Sequence, residues 1–521
     1  MSTSRQSCSL SFTIAQTGIS KSLFSPRVGN VSLTRNGVDK INIDTPGLLV
    51  NTSRGVIPHL SRDQHKQCSA VRWVHVPFET FLEHKPPVPT LQTGQDPLHR
   101  FLGYPVDKFV VSMSLRDPHD GREVPPNGNA FVSANSIRGV RKVSPDEWRS
   151  YVLACKPDIV VPLSDTPFTP PPYSQKRLTK SIERSFTWLT HFLQPIDGLH
   201  PLNVFVHLGG GASIAARAAF SESLLETLHG KDADTVKPLK SLDEGVTGYQ
   251  LDLVPLRLAL SGVVSEPINI DTSPVPTNPD IKTSDVVPLL RSSLSPLPAH
   301  KIRLVSSAES PHEMLTLIQQ IGVDLFDAQW AQRAADIGIA LDFTFPVGNF
   351  GTRRRSNGKR DLGHNLFDHS YAEDFSPLAN CFVGQAAHSG DVPVCMCGAC
   401  SPVSPHARIS HSYLDENAPN GGEIGPAFTR AYLHHLLHTH EMSAYSLLVL
   451  HNLIVLDAFF AGVRDTIRSL DDETLDLEFS KFFQEYDEEL LIFDESKAMW
   501  GEVEMARGKG RLSREKAKET I

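Results

Sequence analysis

Between residues 100 and 345 the chain repeats one pattern: a short, nearly unbroken apolar run, then a longer segment with apolar residues at helical spacing. KFVVSMSL (108–115), PDIVVPLSD (157–165), NVFVHLGGG (203–211), GYQLDLV (248–254) and KIRLVSSA (301–308) are runs of this kind. Continuous rather than alternating apolar positions predict strands buried on both faces. Helices are predicted at 174–193, 213–228 and 311–321, each following such a strand. Strand and helix in alternation imply a parallel sheet, either closed as a barrel or doubly wound, and the pattern leaves both open.

The pattern breaks in three places that read as insertions: 266–300, rich in Pro, Ser and Thr; 348–363, basic and Gly-rich; and 401–428, polar with Pro and Gly. After Thr429 the chain is strongly helical to about Ile467, then an acidic helix is predicted from Asp471 to about Phe493, followed by a charged tail. The apolar run 443–462 has membrane-spanning length, but His451, Asn452 and Asp457 interrupt it, so it is expected as a buried helix with no integral membrane association. Residues 1–38 carry four basic and no acidic residues, a transit-peptide composition. SFTIAQTG and GNVSLTRNG within them read instead as strands around turns, so folded structure is expected there.

Charge and cysteine narrow the chemistry. With 50 Lys and Arg against 59 Asp and Glu, the net charge of −9 gives no overall attraction for phosphate. Local basic patches at Arg353, Arg354, Arg355, Lys359 and Arg360, and in the tail from Arg507 to Lys518, are the places where nucleic acid could touch this chain. Of 7 cysteines, Cys8, Cys68, Cys155 and Cys381 are isolated, while Cys395, Cys397 and Cys400 fall within six positions. So uneven a set is no disulfide framework and predicts a reducing, cytoplasmic compartment. Thiolates at C-x-C-x-x-C spacing can converge on one cation, and a histidine would complete a closed tetrahedral zinc site. His406, His411, His434, His435, His438, His440 and His451 all lie downstream, and spacing does not choose among them.

VCMCGAC (394–400) followed by TRAYLHHLLHTHEMSAYSLLVLHN (429–452) resembles the zinc subdomain of the tRNA-guanine transglycosylase family. DTPG (44–47), the stretch from Asp158 to Leu189, and GVDLFDA (322–328) extend the resemblance over roughly residues 10–470. It implies a (β/α)8 TIM-type barrel with a zinc-binding subdomain and C-terminal helices. The segments would be N-terminal strands to residue 40, the barrel at 41–380, the zinc subdomain at 381–470, and an acidic helix with its tail at 471–521. It implies one structural Zn2+ per chain on Cys395, Cys397, Cys400 and His451. Members exchange guanine at the wobble position of tRNA for queuine or a precursor, which needs one carboxylate as nucleophile at ribose C1′ and another to manage base protons.

The same resemblance is incomplete where the chemistry would sit. Asp327 stands at the nucleophile's position and Asp165 at that of a carboxylate contacting the purine. The family's D-S-G-G-F/Y-Q stretch is replaced by SMSLRDPHDG (112–121), P-T-R-x-x-R-x-G by QWAQRAADIG (329–338), and the Gly-rich pocket loop by YQLDLVPLR (249–257); His207 sits where a base-reading Gln would be. With PHLSRD (58–63) and YAEDFSPL (371–378), this points to a non-catalytic member that forms a heterodimer with a catalytic subunit and helps hold tRNA, the helix at 429–467 carrying the interface. The resemblance also extends the expected location to the mitochondrial outer surface. Two other readings stay open: an active enzyme pairing Asp327 with Asp165, Asp117 or Asp120, and an RNA-binding module using the 353–360 patch.

Overall fold

The computed structural model describes residues 8–15, 22–169, 171–196, 201–261, 281–348, 351–380, 395, 397–401 and 427–519, and only the backbone of 506–519. The chain forms two compact units, one of residues 1–56 with 72–327 and one of 57–71 with 328–521. Residue 380, expected from the sequence to end the barrel, lies within the second unit.

The first unit is a closed barrel of eight parallel strands in chain order: β4 (Gly47–Asn51), β5 (Trp73–Pro77), β6 (Val110–Ser114), β9 (Ile159–Val160), β10 (Asn203–His207), β11 (Gly248–Asp252), β12 (Ile302–Ser306) and β13 (Leu325–Asp327), the last pairing back onto β4. Closure settles the choice the pattern left open, in favour of the (β/α)8 barrel. The long predicted helices appear as Gln175–Phe192, Ile214–Leu225 and Pro311–Ile321, each started by a serine whose hydroxyl accepts a backbone N–H of the first turn. A hairpin of β7 (Val132–Ser136) and β8 (Gly139–Val143) interrupts the alternation between β6 and β9.

An antiparallel sheet of β1 (Cys8–Ile14), β2 (Gly29–Arg35) and β3 (Val38–Thr45) closes the barrel's N-terminal end. Val31, Leu33, Ile41 and Ile43 from that sheet share one buried core with Trp73, Val110, Ile159, Ile302 and Leu325, the first residues of their strands. Two ion pairs pin it: Arg35 to Asp158, at 2.9 and 2.6 Å, and Arg27 to Asp324. Burial alone would raise the Asp158 carboxyl, but His99 and Arg35 outweigh it and hold the group well below the usual carboxylate range. With that end plugged, a ligand can enter only at the C-terminal ends of the strands, where (β/α)8 barrels place their sites.

Part of the stretch read as an insertion at 266–300 is an element of the barrel unit. Thr283–Leu294 is a helix that buries Val286, Val287, Leu289, Leu290 and Leu294. Thr283, Ser284 and Ser292 lie away from that buried stripe while Ser293 is buried and accepts from Arg217, and these polar residues made the composition look like a linker; residues 262–280 lie outside the described set.

The second unit is built on a hairpin, β14 (Ile339–Leu341) and β15 (Gly363–Asn365), and on the helices Gln329–Asp336, Arg430–His438, Met442–Ser469, Asp472–Glu485 and Leu491–Glu519. The helical stretch after Thr429 is therefore two helices, and the acidic helix ends at Glu485, earlier than the sequence suggests. Trp330, Phe343, Phe345, Phe459, Phe482 and Tyr486 pack in one aromatic core with mostly edge-to-face contacts. Met442–Ser469 is long and apolar enough to cross a membrane, yet 61% of its most apolar window is buried inside the protein. Gly462 lets this helix touch the Phe345 backbone: a Cβ there would fall 1.6 Å from the Phe345 carbonyl oxygen.

Candidate functional site

In the second unit, Cys395, Cys397, Cys400 and His451 bring their ligand atoms within 4.8 Å of one another. The three sulfurs lie 3.6, 3.6 and 3.4 Å from His451 Nδ1. Tetrahedral zinc, with Zn–S about 2.3 Å and Zn–N about 2.0–2.1 Å, would set that edge at about 3.5–3.6 Å, so the donor set and its spacing fit the ion. His451 Nε2 donates to the Leu341 carbonyl at 2.9 Å, which leaves Nδ1 as the lone-pair nitrogen and aims it at the sulfurs. Among the described residues, His434, His435, His438 and His440 are not part of this group; His406 and His411 lie outside the described residues.

The neighbouring Asn452 locks the site to its surroundings. Its side-chain oxygen accepts the Leu341 N–H, and its amide donates to the carbonyls of Ile339 and Ala331. Both residues are fully buried. The thiols divide by environment: burial pushes Cys8, Cys68 and Cys155 up to about 12. Burial acts the same way on Cys397, but hydrogen bonds from Cys395, Cys400 and His451 prevail and hold it well below the usual thiol value. A thiolate is thus favoured at Cys397, while the same thiol neighbours and burial raise Cys400; at the isolated sites the thiol form is favoured.

The mouth of the barrel is different. Asp327 ends β13 and is 1% exposed; one oxygen accepts from His119 Nε2 at 3.0 Å and from the Ser307 N–H, which a left-handed φ of 68° turns toward it. His119 Nδ1 donates to Asp117 at 2.9 Å. Burial opposes a charge on His119, but Asp327 and Asp117 outweigh it and push the imidazole up to about 10, so it is an imidazolium bridging two carboxylates at neutral pH. Asp165 accepts from Arg177 at 2.9 and 2.8 Å, from Arg184 at 2.9 Å and from Asn127 at 2.8 Å. A carboxylate offers about four acceptor positions, and all of them are taken. Asp120 is likewise held, by Arg122 at 2.9 and 2.8 Å and by Asn135 at 3.0 Å.

A pocket remains at this mouth, lined among others by Arg116, Asp117, Phe168, His207, Gln250 and Asp252. The Arg116 guanidinium carbon lies 3.6 Å from the Phe168 ring centroid, and its Nε and Nη2 are buried without a hydrogen-bond partner. Burial lowers Arg116 below its ordinary value, and raises nearby Glu79 to about 8. His207 is not free to read a base: Nε2 faces Asp252 at 3.3 Å.

The basic segment 353–360 is consumed within the second unit. Arg354 and Arg360 both pair with Glu485, Arg355 with Asp361 and Glu495, and Lys359 with Glu488. Acidic residues of the C-terminal segment, Glu485, Glu488 and Glu495, are the counter-charge. The sequence reading missed His119, Arg177, Arg184 and Asn452. Arg177 and Arg184 stand 12 and 19 positions after Asp165 on one face of the helix Gln175–Phe192, a spacing visible in the chain once its partner is known.

The family model for queuine tRNA-ribosyltransferase matches residues 24–236 and 275–487. A Schizosaccharomyces pombe protein named queuine tRNA-ribosyltransferase accessory subunit 2 is 27% identical over 452 residues, covering 86% of this chain and 80% of its own. Relatives of the same name from Aedes aegypti and Homo sapiens are 24% and 25% identical, covering 87% and 82% of this chain and 88% and 90% of their own. With the matched segments spanning most of its length, an eight-stranded parallel barrel and a Cys3His group, the chain belongs to the queuine tRNA-ribosyltransferase family.

Proposed function

We propose that this chain is the non-catalytic subunit of a queuine tRNA-ribosyltransferase heterodimer. It supports exchange of guanine for queuine at wobble position 34 of tRNAs with GUN anticodons. The observation that carries this reading is the saturation of Asp165 by Arg177, Arg184 and Asn127. A carboxylate with every acceptor position bound to cations and an amide has none left for a purine N–H. Asp327 is tied to His119 and Ser307, so the exchange lacks both an unengaged nucleophile and a base. Arg116 further sets a cation on the Phe168 face, where a flat base would stack.

Cys395, Cys397, Cys400 and His451 would hold one structural Zn2+; four protein ligands leave no position for substrate. The partner surface proposed here runs along the start of the helices after residue 428. Phe428 and Tyr432 stack at 5.4 Å, Tyr432 is 44% exposed and Met442 80% exposed. Large apolar side chains left at the surface suit burial against another subunit. The partner is the catalytic transglycosylase, tRNA is held by the pair, and the location is cytoplasmic.

The test is exchange of labelled guanine in tRNA by the chain alone, by a catalytic transglycosylase alone, and by the two mixed. Activity confined to the mixture, with a one-to-one complex, is expected. Exchange by the chain alone, abolished by Asp327→Ala, would overturn the reading. The RNA-module alternative predicts tRNA binding without a protein partner; the paired state of Arg354, Arg355 and Arg360 speaks against it.

A further inference from the structure

Two of the histidines that the Cys3His group leaves unused, His434 and His438, lie one turn apart on the helix Arg430–His438. Their ring centroids are 4.1 Å apart. His369, on the turn His369–Tyr371, brings a third imidazole to 5.8 Å from His434 and 6.2 Å from His438. In both helical residues Nδ1 donates to a backbone carbonyl, His434 to Leu366 at 2.9 Å and His438 to His434 at 3.0 Å. That bond fixes the tautomer and leaves the lone pair on Nε2, which is how carbonyls outside a metal's ligand set prepare a histidine for binding. Among the described residues neither Nε2 has a hydrogen-bond partner.

We propose that His369, His434 and His438 form a second divalent transition-metal site, made of imidazoles and chemically distinct from the thiolate group. Histidines at i and i+4 on a helix chelate one ion from one face, and imidazole donors suit Zn2+, Cu2+ and Ni2+. With metal–nitrogen distances of about 2.0–2.1 Å, three rings around one ion stand about 5 Å apart; His434 and His438 at 4.1 Å are closer than this and His369 at 5.8 and 6.2 Å is farther, so the site needs His369 to move in. His369 is exposed, which leaves its side chain room to turn toward the pair when an ion binds. Burial, with His438 and His369 beside it, lowers His434 below the ordinary imidazole value, so its ring is unprotonated at neutral pH. Phe367 covers His438 from one side, its ring centroid 5.9 Å away. Three protein ligands at a partly exposed position leave the fourth to water.

The experiment is metal titration of the full chain with Zn2+ and Co2+, read by bound-metal stoichiometry and by the Co2+ spectrum. Wild type is expected to bind two equivalents, one with sulfur-to-cobalt charge-transfer bands and one without. His438→Ala and His369→Ala should each weaken the second equivalent about tenfold or more and leave the charge-transfer bands unchanged. His369→Ala decides should His438→Ala disturb the helix, because an exposed turn residue carries no packing. One equivalent in wild type, or a second equivalent unaffected by His369→Ala, overturns the proposal.

Discussion

The Cys3His group and the barrel mouth both hold buried ionisable side chains on elements shared with the family, yet they differ in where the charges are spent. In the cluster, the nitrogen and three sulfurs point at a common centre and the surrounding hydrogen bonds come from behind, from Leu341 and Asn452. At the mouth, every acceptor position of Asp165 is bonded to Arg177, Arg184 and Asn127, and one oxygen of Asp327 is bonded to His119 and the Ser307 N–H. One region is organised to receive something; the other is closed on itself. A buried carboxylate that no longer meets a substrate must find cations or be neutral, and the arginines and the imidazolium supply them.

The largest test of that contrast is removal of a thiolate. Cys397→Ser should release the metal proposed for the cluster and unfold the second unit, since apparent zinc-binding energies of about 10–16 kcal/mol are also folding energies. Bound metal and proteolytic resistance of the segment after residue 328 report it. Unchanged metal content would remove Cys397 from the ligand set.

At the mouth the expectation is reversed: a large effect on stability and none on chemistry. Asp165→Ala strands Arg177 and Arg184, whose side chains are 24% and 13% exposed, and should cost about 3 kcal/mol, as when one partner of a buried pair is deleted. Denaturant unfolding measures the loss. The guanine exchange rate of the mixed subunits should stay within twofold of wild type; a selective loss of exchange with stability intact would show that Asp165 still works on a base.

Asp327 gives a smaller effect with a defined pH signature. His119 is raised to about 10 from an unfolded value of about 6.5. Its stabilisation is therefore complete below about pH 6.5 and declines as pH rises through about 10. Asp327→Asn removes one of the two carboxylates that hold the proton. It should cost about 2 kcal/mol at neutral pH and flatten the decline on the alkaline side, seen by thermal unfolding across that range. A pH profile identical to wild type would place the charge elsewhere.

Much of the barrel was legible because buried parallel strands have a one-residue signature. The runs at 108–115, 203–211 and 301–308 needed only trimming to become β6, β10 and β12, and the helix 311–321 kept both ends. The cysteines of the Cys3His group were legible because three in six positions have few other uses, whereas spacing alone did not pick His451 from the histidines downstream. What failed to show were partners distant in sequence: His119 meets Asp327 across 208 positions, and Arg355 meets Glu495 across 140. No local pattern marks such pairs. The helix Thr283–Leu294 was hidden by composition, its serines and threonines outweighing an apolar stripe that only burial reveals.

The smallest expected effect concerns the basic segment, and it sharpens the comparison by adding a third region with its charges spent inward. Glu485 receives Arg354 and Arg360, at side-chain exposures of 50% and 13%. Glu485 is 19% exposed where Asp165 is fully buried, and its half-exposed partner Arg354 contributes about 1 kcal/mol or less, so Glu485→Gln should move the unfolding midpoint less than Asp165→Ala does. It should, however, release two guanidiniums to solvent beside the exposed Arg353. If those cations are silent toward RNA only because the glutamate holds them, the variant will bind tRNA more tightly at low salt. Each newly contacted phosphate would steepen the logarithmic salt dependence by about 0.7–0.9. Titrations of wild type and variant at several salt concentrations separate the outcomes. A slope that does not change means the segment faces away from the nucleic acid, and tRNA contact by this chain must then come from another surface.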